Sequence, residues 1–276
     1  MRGTISPHRS MHKSFDTDFF DRPLPRLFAH RGASGDYPEN TMPAFRAAQA
    51  AAVPYIELDV HMTRDGAIVI THDEDLLRIT GQAGRIAEMT LAEVCGADAG
   101  FNFSPDGKQF PFRDLGVRVP TLREVLATFP QQFFVIEIKP PAPGLAAALL
   151  AVVRDAKMTR RVLIASEHHP PLDEARTLAP RIPTGFSADE VRGFLMSLPP
   201  GGAPFTPAGA ALQIPPEYQS LKLVTAETVD AAHRLGVEVH VWTVNEAARM
   251  RELLAMGVDG IITDYPAILV DVVRSL

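Results

Sequence analysis

The sequence predicts an α/β fold, a (β/α)8 TIM barrel with a small insertion after the second strand. Three observations carry this. Eight short apolar runs alternate with helical patterns along the 276-residue chain. Several helical patterns stop at a glycine just before the next apolar run, as in RLGVEV and AMGVDG, the usual C-terminal stop of a helix. The alternation is interrupted once, after the second run, by a long polar, glycine-rich stretch.

Residues 1–25 are polar and broken by proline, and they lack the apolar stretch of a secretory signal. They read as a mobile lead-in to a single barrel spanning 26–276. The first strand is Leu27–His30, and a helix over Thr41–Ala52 follows an Asn-Thr start. The second strand is Tyr55–Val60. After it, HMTRDGAIVITHD holds another good strand, Ala67–Thr71, separated from Val60 only by a short stretch around Asp-Gly. Parallel neighbours need a far longer crossover, whereas Asp-Gly between apolar runs predicts an antiparallel hairpin. The chain therefore climbs past Asp59, turns at Asp65-Gly66 and descends, which returns His72 to about the height of Asp59. Residues 73–120 contain GQAG, ADAGFNFSPDGKQF and FRDLG and read as a small inserted subdomain at the C-terminal rim.

The helix Thr121–Phe129 opens with TLRE, a capping-box pattern. Strand Phe133–Lys139 and helix Leu145–Lys157 come next, then strand Val162–Ser166 and helix Pro171–Leu178. Strand Pro183–Ser187 leads into helix Asp189–Leu198 and an irregular loop, PPGGAPFTP. Strand Ala211–Pro215, helix Thr225–Leu235, strand Glu238–Val244, helix Glu246–Met256 and strand Gly260–Asp264 complete the set.

Composition bounds the partners. With 46% hydrophobic residues the chain can bury a sizeable core. Its 27 basic and 33 acidic residues give a net charge of −6 without a basic block, which argues against nucleic acid or an anionic membrane as the main partner and leaves room for a small phosphorylated one. The single cysteine, Cys95, excludes an intrachain disulfide and a thiolate metal cluster. Apolar runs such as AAALLAVV are too short to span a bilayer. A soluble cytoplasmic protein is the expectation.

In such a barrel the reacting groups come from the C-terminal ends of strands. The first predicted strand ends in His30-Arg31. The second carries Glu57 and Asp59 and the third Glu137 and Lys139, each pair two apart and so on one side. A later strand ends near Trp242, and the hairpin returns His72 to the same rim. Three carboxylates converging on one mouth repel each other unless a cation neutralises them, and oxygen ligands favour Mg2+, Ca2+ or Mn2+ over a soft metal. Two histidines beside it suit general acid–base work near neutral pH. Arg31 and Lys139 suit phosphate oxygens. Taken singly, a strand Glu-x-Asp is more often an ion-pair element, His72 a satisfied rim histidine and Trp242 core filler; their conjunction at successive strand ends points to chemistry. His61 and His240 lack that company and read as structural, and Cys95 as filler in the insertion. His168 and His169 follow the fourth strand and suit a peripheral substrate contact.

At this point the chain resembles a known family. HRGASGDYPENT, then IELDVHMTRDGAIVITHDEDLLRITG, VPTLREVL, FFVIEIK, VHVWTVNE and GVDGIITDYP, in order and at compatible separations, look like the glycerophosphodiester phosphodiesterases over nearly the whole chain. The resemblance implies metal-dependent hydrolysis of glycerophosphodiesters to sn-glycerol 3-phosphate and an alcohol. It makes His30 and His72 the acid–base pair, Glu57, Asp59 and Glu137 the ligands of one divalent cation, and Arg31 and Lys139 the phosphate contacts. Glu39 of PENT lies near the site, and Trp242 is expected to stack on the substrate. In the family's route a neighbouring glycerol hydroxyl attacks, giving a cyclic phosphate that water opens. A lysophospholipase D acting on acylated substrates is the enzymatic alternative, and an inactive phosphate-binding member the non-enzymatic one. The departure from the pattern is Ser166-Glu167-His168, where many relatives have Ser-Phe.

Overall fold

A computed structural model describes residues 14–276. Strands β1 (Arg26–His30) and β2 (Tyr55–Met62) are parallel neighbours, and β3 (Ile68–Ile70) folds back antiparallel on β2, pairing Val60 with Ile70. The hairpin closes through Gly66, whose φ of 82° is one that other residues resist. Thr71 donates its N–H to the carbonyl of Asp59 at 3.0 Å, so His72 does return to the level of Asp59. Strands β4 (Phe133–Ile138), β5 (Val162–Ala165) and β6 (Ala211–Ile214) follow, then a two-residue hairpin of β7 (Glu217–Tyr218) and β8 (Leu221–Lys222), and finally β9 (Glu238–Val241) and β10 (Gly260–Thr263).

The seven parallel strands curl in the order β5-β4-β2-β1-β10-β9-β6. The expected strand Pro183–Ser187 stands between the two ends of that curl, with single parallel bridges Ile164↔Thr184 and Gly185↔Ala211. Its pairing is short: Pro183 has no N–H to donate, and the ladder consists of Ile164 N–H to the Pro183 carbonyl at 3.0 Å, Gly185 N–H to the Ile164 carbonyl at 2.8 Å and Ala210 N–H to the Thr184 carbonyl at 2.8 Å. The result is a TIM-barrel-like α/β fold.

Helices α1 (Met42–Ala50), α2 (Leu77–Thr80), α3 (Leu91–Cys95), α4 (Leu122–Thr128), α5 (Leu145–Asp155), α6 (His169–Leu178), α7 (Ala188–Ser197), α8 (Ala226–Arg234), α9 (Ala247–Met256) and α10 (Pro266–Arg274) connect and cover the strands. The TLRE signal works as read: the Thr121 hydroxyl accepts from the Glu124 N–H while the Glu124 carboxylate accepts from the Thr121 N–H. Helix α9 ends at Gly257 with φ 97°. Helix α10 lies beyond the last expected element. Residues 73–120 run between β3 and α4; they contain α2, a 3-10 turn at Ile86–Glu88 and α3, and gather Leu76, Ile86, Val94, Val117 and Val119 into a small apolar cluster of their own with Val69.

Strand parity separates the two cores. Ile56, Leu58 and Val60 of β2 join the layer packed by α1, α4 and α5, with Phe45, Val125 and Leu149. Tyr55 of the opposite parity lies with Phe28, Phe133, Leu163, Ala211 and Ile262. Glu57 and Asp59 continue that second row. Phe19 is fully buried against Phe28, Tyr55 and Phe133, and its carbonyl accepts from the Tyr55 hydroxyl at 2.7 Å. The lead-in is therefore not loose here: of residues 1–25, the first thirteen lie outside the described residues, and the stretch around Phe19 is packed against the barrel. The same row holds a buried ion pair, Arg26 to Glu238 at 2.5 and 2.6 Å, with His240 against Glu238 at 3.0 Å. Among the described residues no helix is long and apolar enough to cross a membrane.

Candidate active site

Register places the candidate residues before any side chain is considered. β1 and β2 pair His30 with Glu57, and β2 and β4 pair Asp59 with Glu137. All four share one row at the C-terminal ends of adjacent strands. One oxygen each from Glu57, Asp59 and Glu137 lies within 4.8 Å of the others. Lys139, two residues beyond Glu137, lays its ammonium between two of them, 3.1 Å from Asp59 Oδ1 and 3.0 Å from Glu137 Oε1.

Arg31 turns the chain out of β1 in the left-handed region, φ 54°, a conformation that costs a non-glycine residue energy and recurs at functional sites. Its N–H donates to the Glu57 carbonyl at 2.9 Å and to Glu57 Oε2 at 3.1 Å. Its guanidinium sits 3.2 Å from Asp59 Oδ2 and donates to Glu39 Oε1 at 3.0 Å. Gly32 makes the turn possible, since a Cβ there would lie 2.7 Å from the backbone of Ala44 on α1. Asn40 completes the loop by donating to Asp59 Oδ2 at 2.8 Å.

The two histidines are each held through Nδ1. His30 Nδ1 bonds Asp264 Oδ1 at 2.7 Å, leaving Nε2 facing Glu57 Oε2 at 3.9 Å. Asp264 is itself held by the hydroxyl of Ser34 at 2.9 Å and the side-chain amide of Asn245 at 2.7 Å. His72 Nδ1 bonds Asp73 Oδ1 at 2.7 Å, and the carbonyl of His72 accepts from His61 Nε2 at 3.0 Å. Arg78 of α2 ties Asp73 to Glu39.

Burial dominates the electrostatics. It pushes Glu57 up to about 8, with the charge of Asp59 adding to it, and it raises Glu137 as well. Asp59 is as buried, yet Lys139 and Arg31 outweigh burial and hold it below the usual carboxylate range. Burial alone would lower His30, but the hydrogen bond it donates to Asp264 and the charge of Glu57 raise it. Two of three clustered carboxylates thus resist ionising, and the buried Asp59 Oδ1 accepts no hydrogen bond although the Lys139 ammonium is near. Lys139 marks where positive charge is wanted. An all-oxygen donor set of this kind fits a hard divalent cation.

The residues expected from sequence therefore gather in two groups. His30, Arg31, Glu57, Asp59, Glu137 and Lys139 form one connected cluster. His72 approaches from the hairpin, near enough to Asp59 for its charge to help hold that carboxylate down. Trp242 is half-buried at the end of β9 against the interior apolar row. Glu39 joins the cluster through Arg31. Glu167, His168 and His169 are exposed beyond β5, and the charge of Glu167 reaches Glu137. His61 and His240 make hydrogen bonds within the framework. Asp264, Asn245, Ser34, Asn40, Asp73 and Arg78 were not anticipated. The strand-end rule applied to Gly260–Asp264 would have found Asp264.

A TIM-barrel-like scaffold that gathers carboxylates, imidazoles and cationic side chains at its C-terminal strand ends has the architecture of an enzyme. The sequence model of the Glycerophosphoryl diester phosphodiesterase family matches residues 30–268, so the chain belongs to that family. It is 32% identical over 90% of its length, and 98% of the relative's, to a glycerophosphodiester phosphodiesterase of Caldanaerobacter subterraneus subsp. tengcongensis. Among solved structures it resembles a putative glycerophosphoryl diester phosphodiesterase from Silicibacter pomeroyi, with TM-score 0.75, 31% identity and coverage of 92% of this chain and 95% of that one. A phosphodiesterase of Oleispira antarctica, in complex with the product sn-glycerol-3-phosphate, matches with TM-score 0.72 and 27% identity over 91% of this chain and 97% of its own.

Proposed function

We propose that the protein hydrolyses glycerophosphodiesters to sn-glycerol 3-phosphate and an alcohol, with His30 and His72 as the acid–base pair. The observation that carries this is the strand register, His30 beside Glu57 and Asp59 beside Glu137, which gathers acid–base, acidic and cationic groups in one row. Family membership and the product bound by the Oleispira antarctica relative support it.

Glu57, Asp59 and Glu137 would hold one divalent cation, Mg2+ or Ca2+, with Mn2+ as a third candidate. When bound, it supplies neutralisation of charge on the phosphoryl oxygens. The chain's own groups do the rest. Arg31 and Lys139 hold the remaining phosphoryl oxygens, Lys139 exchanging its carboxylate partners for phosphate. One imidazole removes a proton through Nε2 from the neighbouring glycerol hydroxyl as it attacks phosphorus, and the other gives its proton to the oxygen of the departing alcohol; water then opens the resulting cyclic phosphate to sn-glycerol 3-phosphate, the two imidazoles exchanging roles. Asp264 and Asp73 keep each ring's Nδ1 protonated, so that Nε2 faces the reaction. Trp242 offers a flat apolar wall to the glycerol carbons, and residues 73–120, read as a rim insertion, face the leaving alcohol.

The test is release of sn-glycerol 3-phosphate, read by a coupled dehydrogenase assay. Glycerophosphocholine, glycerophosphoethanolamine and glycerophosphoglycerol are supplied with each metal, beside lysophospholipids. Release from the glycerophosphodiesters is expected. Turnover of lysophospholipids alone, read as release of the head-group alcohol and lysophosphatidate, would favour a lysophospholipase D, and no release of sn-glycerol 3-phosphate from any glycerophosphodiester would overturn the proposal.

A further inference from the structure

We propose that Arg78 is a positioning residue that fixes His72 and Arg31 at the same time, making the first helix of the 73–120 segment a latch on the reaction rather than only a cover over it. The proposal rests on the acid–base role given to His72 above.

Three donors of one guanidinium are used. Nη1 and Nη2 grip both oxygens of Glu39 at 2.9 and 2.7 Å, and Nε donates to Asp73 Oδ2 at 2.6 Å. The other Asp73 oxygen holds His72 Nδ1 at 2.7 Å, and Glu39 Oε1 also accepts from Arg31 Nη1 at 3.0 Å. An unbroken chain therefore runs His72–Asp73–Arg78–Glu39–Arg31, with an acid–base group at one end and a phosphate-holding group at the other. Arg78 is itself anchored, its carbonyl accepting from the Asn102 side chain at 3.0 Å.

An exposed ion pair usually contributes little, because long side chains must be ordered to make it. Arg78 is 48% exposed, but its partners are 21% and 29% exposed and lead inward. Its forked geometry suits a bidentate carboxylate. Without it, Glu39 and Asp73 would be two loosely held carboxylates beside a cation-binding cluster. Each would keep only one of its partners, Arg31 for Glu39 and His72 for Asp73, and Asp73 would no longer firmly hold the imidazole in the tautomer with Nε2 free. A lysine cannot replace this arrangement, since one ammonium cannot grip Glu39 at two points and reach Asp73 as well.

The experiment compares wild type with Arg78→Ala, Arg78→Lys and the control Arg85→Ala, which breaks an exposed ion pair to Glu74 in the same segment. Arg78→Ala is expected to lower kcat roughly 10–100-fold, the scale for removing an outer partner of a reacting group. Melting temperature and cation affinity should hold, and Arg78→Lys should recover only part of the loss. Because the site is half-exposed, added guanidinium below denaturing concentration should restore turnover in Arg78→Ala, whereas sodium chloride of equal strength should not. The deciding readout needs no turnover: in protein labelled with 15N-histidine, the His72 signals, assigned by their loss in His72→Ala, should move in Arg78→Ala toward a mixture of tautomers. Unchanged His72 signals, or wild-type kcat and KM in Arg78→Ala, would overturn the proposal. Full turnover in His72→Ala would instead defeat the acid–base reading and leave the tautomer result to judge the latch alone.

Discussion

Asp264→Asn probes the best-defined contact in the site. The substitution keeps shape and removes one charge. Asp264 accepts from His30 Nδ1 at 2.7 Å, from Ser34 at 2.9 Å and from Asn245 at 2.7 Å. An asparagine amide must point its NH2 at one of these donors, so one buried pair becomes donor against donor. A charge-assisted hydrogen bond of this kind contributes about 1.5–3 kcal/mol. At about 1.4 kcal/mol per tenfold, kcat should fall roughly 10–150-fold. The pH dependence carries a sign as well. Burial pulls the His30 pKa down and Asp264 pulls it up past its ordinary value of 6.5. Without Asp264 the limb of the rate profile that reports His30 moves to lower pH. A raised folded-state pKa stabilises the protein fully below the unfolded value and loses that contribution as pH rises through the folded value. The melting-temperature gap between wild type and variant should therefore be widest at acid pH and close toward alkaline pH. Cation affinity should stay the same, because Asp264 is outside the carboxylate cluster. Steady-state kinetics across pH and thermal unfolding across pH are the assays. Wild-type turnover with an unmoved limb would refute the assignment of Asp264 as the group that orients His30.

Glu57→Gln and Glu137→Gln should each weaken Mg2+ or Ca2+ binding in calorimetry and remove most turnover, and in wild type the affinity should rise with pH up to about 8, where Glu57 ionises unaided; full activity after exhaustive chelation would count against the metal. Trp242→Ala should raise KM and leave kcat nearly unchanged, because it removes binding shared by ground and transition states, and titration of the only tryptophan with substrate in a His30→Ala background should change its fluorescence. Phe19→Ala should cost about 3–5 kcal/mol of stability and lower Tm by roughly 2–4 °C for each of those kcal/mol; an unchanged Tm would mean the segment around Phe19 contributes nothing. Glu238, held down to about 2 from 4.5 chiefly by Arg26 and His240 against the pull of burial, contributes about 3 kcal/mol above pH 4.5 that is lost as pH falls toward 2, so acid unfolding of Glu238→Gln should begin from lower stability and be less steep over that window.

What could be read from sequence was what depends on neighbours along the chain. I-E-L-D alternates two apolar residues for the outer layer with two acids for the inner row, and strand parity alone puts Glu57 and Asp59 together. Asp-Gly fixed the hairpin that returns His72, and TLRE fixed the start of α4. Helix α10 was equally legible: PAILVDVVR has proline at its first position and apolar residues at helical spacing. The long-range partners that escaped come from closure of the sheet, whereas Asp73 and Arg78 lie within six residues of His72 and were local contacts overlooked. His30 and Asp264 are 234 positions apart and Arg26 and Glu238 are 212 apart, and neither pair has a local signature. Phe19 looked like part of a polar lead-in because seven of the ten residues flanking it, 14–18 and 20–24, are polar or proline; only the curled sheet offers it the aromatic row of Phe28, Tyr55 and Phe133. The expected strand Pro183–Ser187 shrank to two bridges, and its proline, lacking an N–H, is one group the ladder loses.

The site's charges explain why so many acids can share one barrel mouth. Glu57, Asp59 and Glu137 form the inner cluster, and burial makes two of them reluctant to ionise. Glu39, Asp73 and Asp264 form an outer ring, and each is committed to a cation or a histidine: Glu39 to Arg31 and Arg78, Asp73 to His72 and Arg78, Asp264 to His30. Those commitments keep the outer carboxylates from competing for the inner site. They also leave the inner three as the cluster whose main cationic neighbours, Lys139 and Arg31, are the groups suited to phosphate. A divalent cation arriving there would release both side chains toward the substrate, so one exchange of partners would assemble the cation site and the phosphate site together. The outer ring would make that exchange selective, because each of its acids already has a partner.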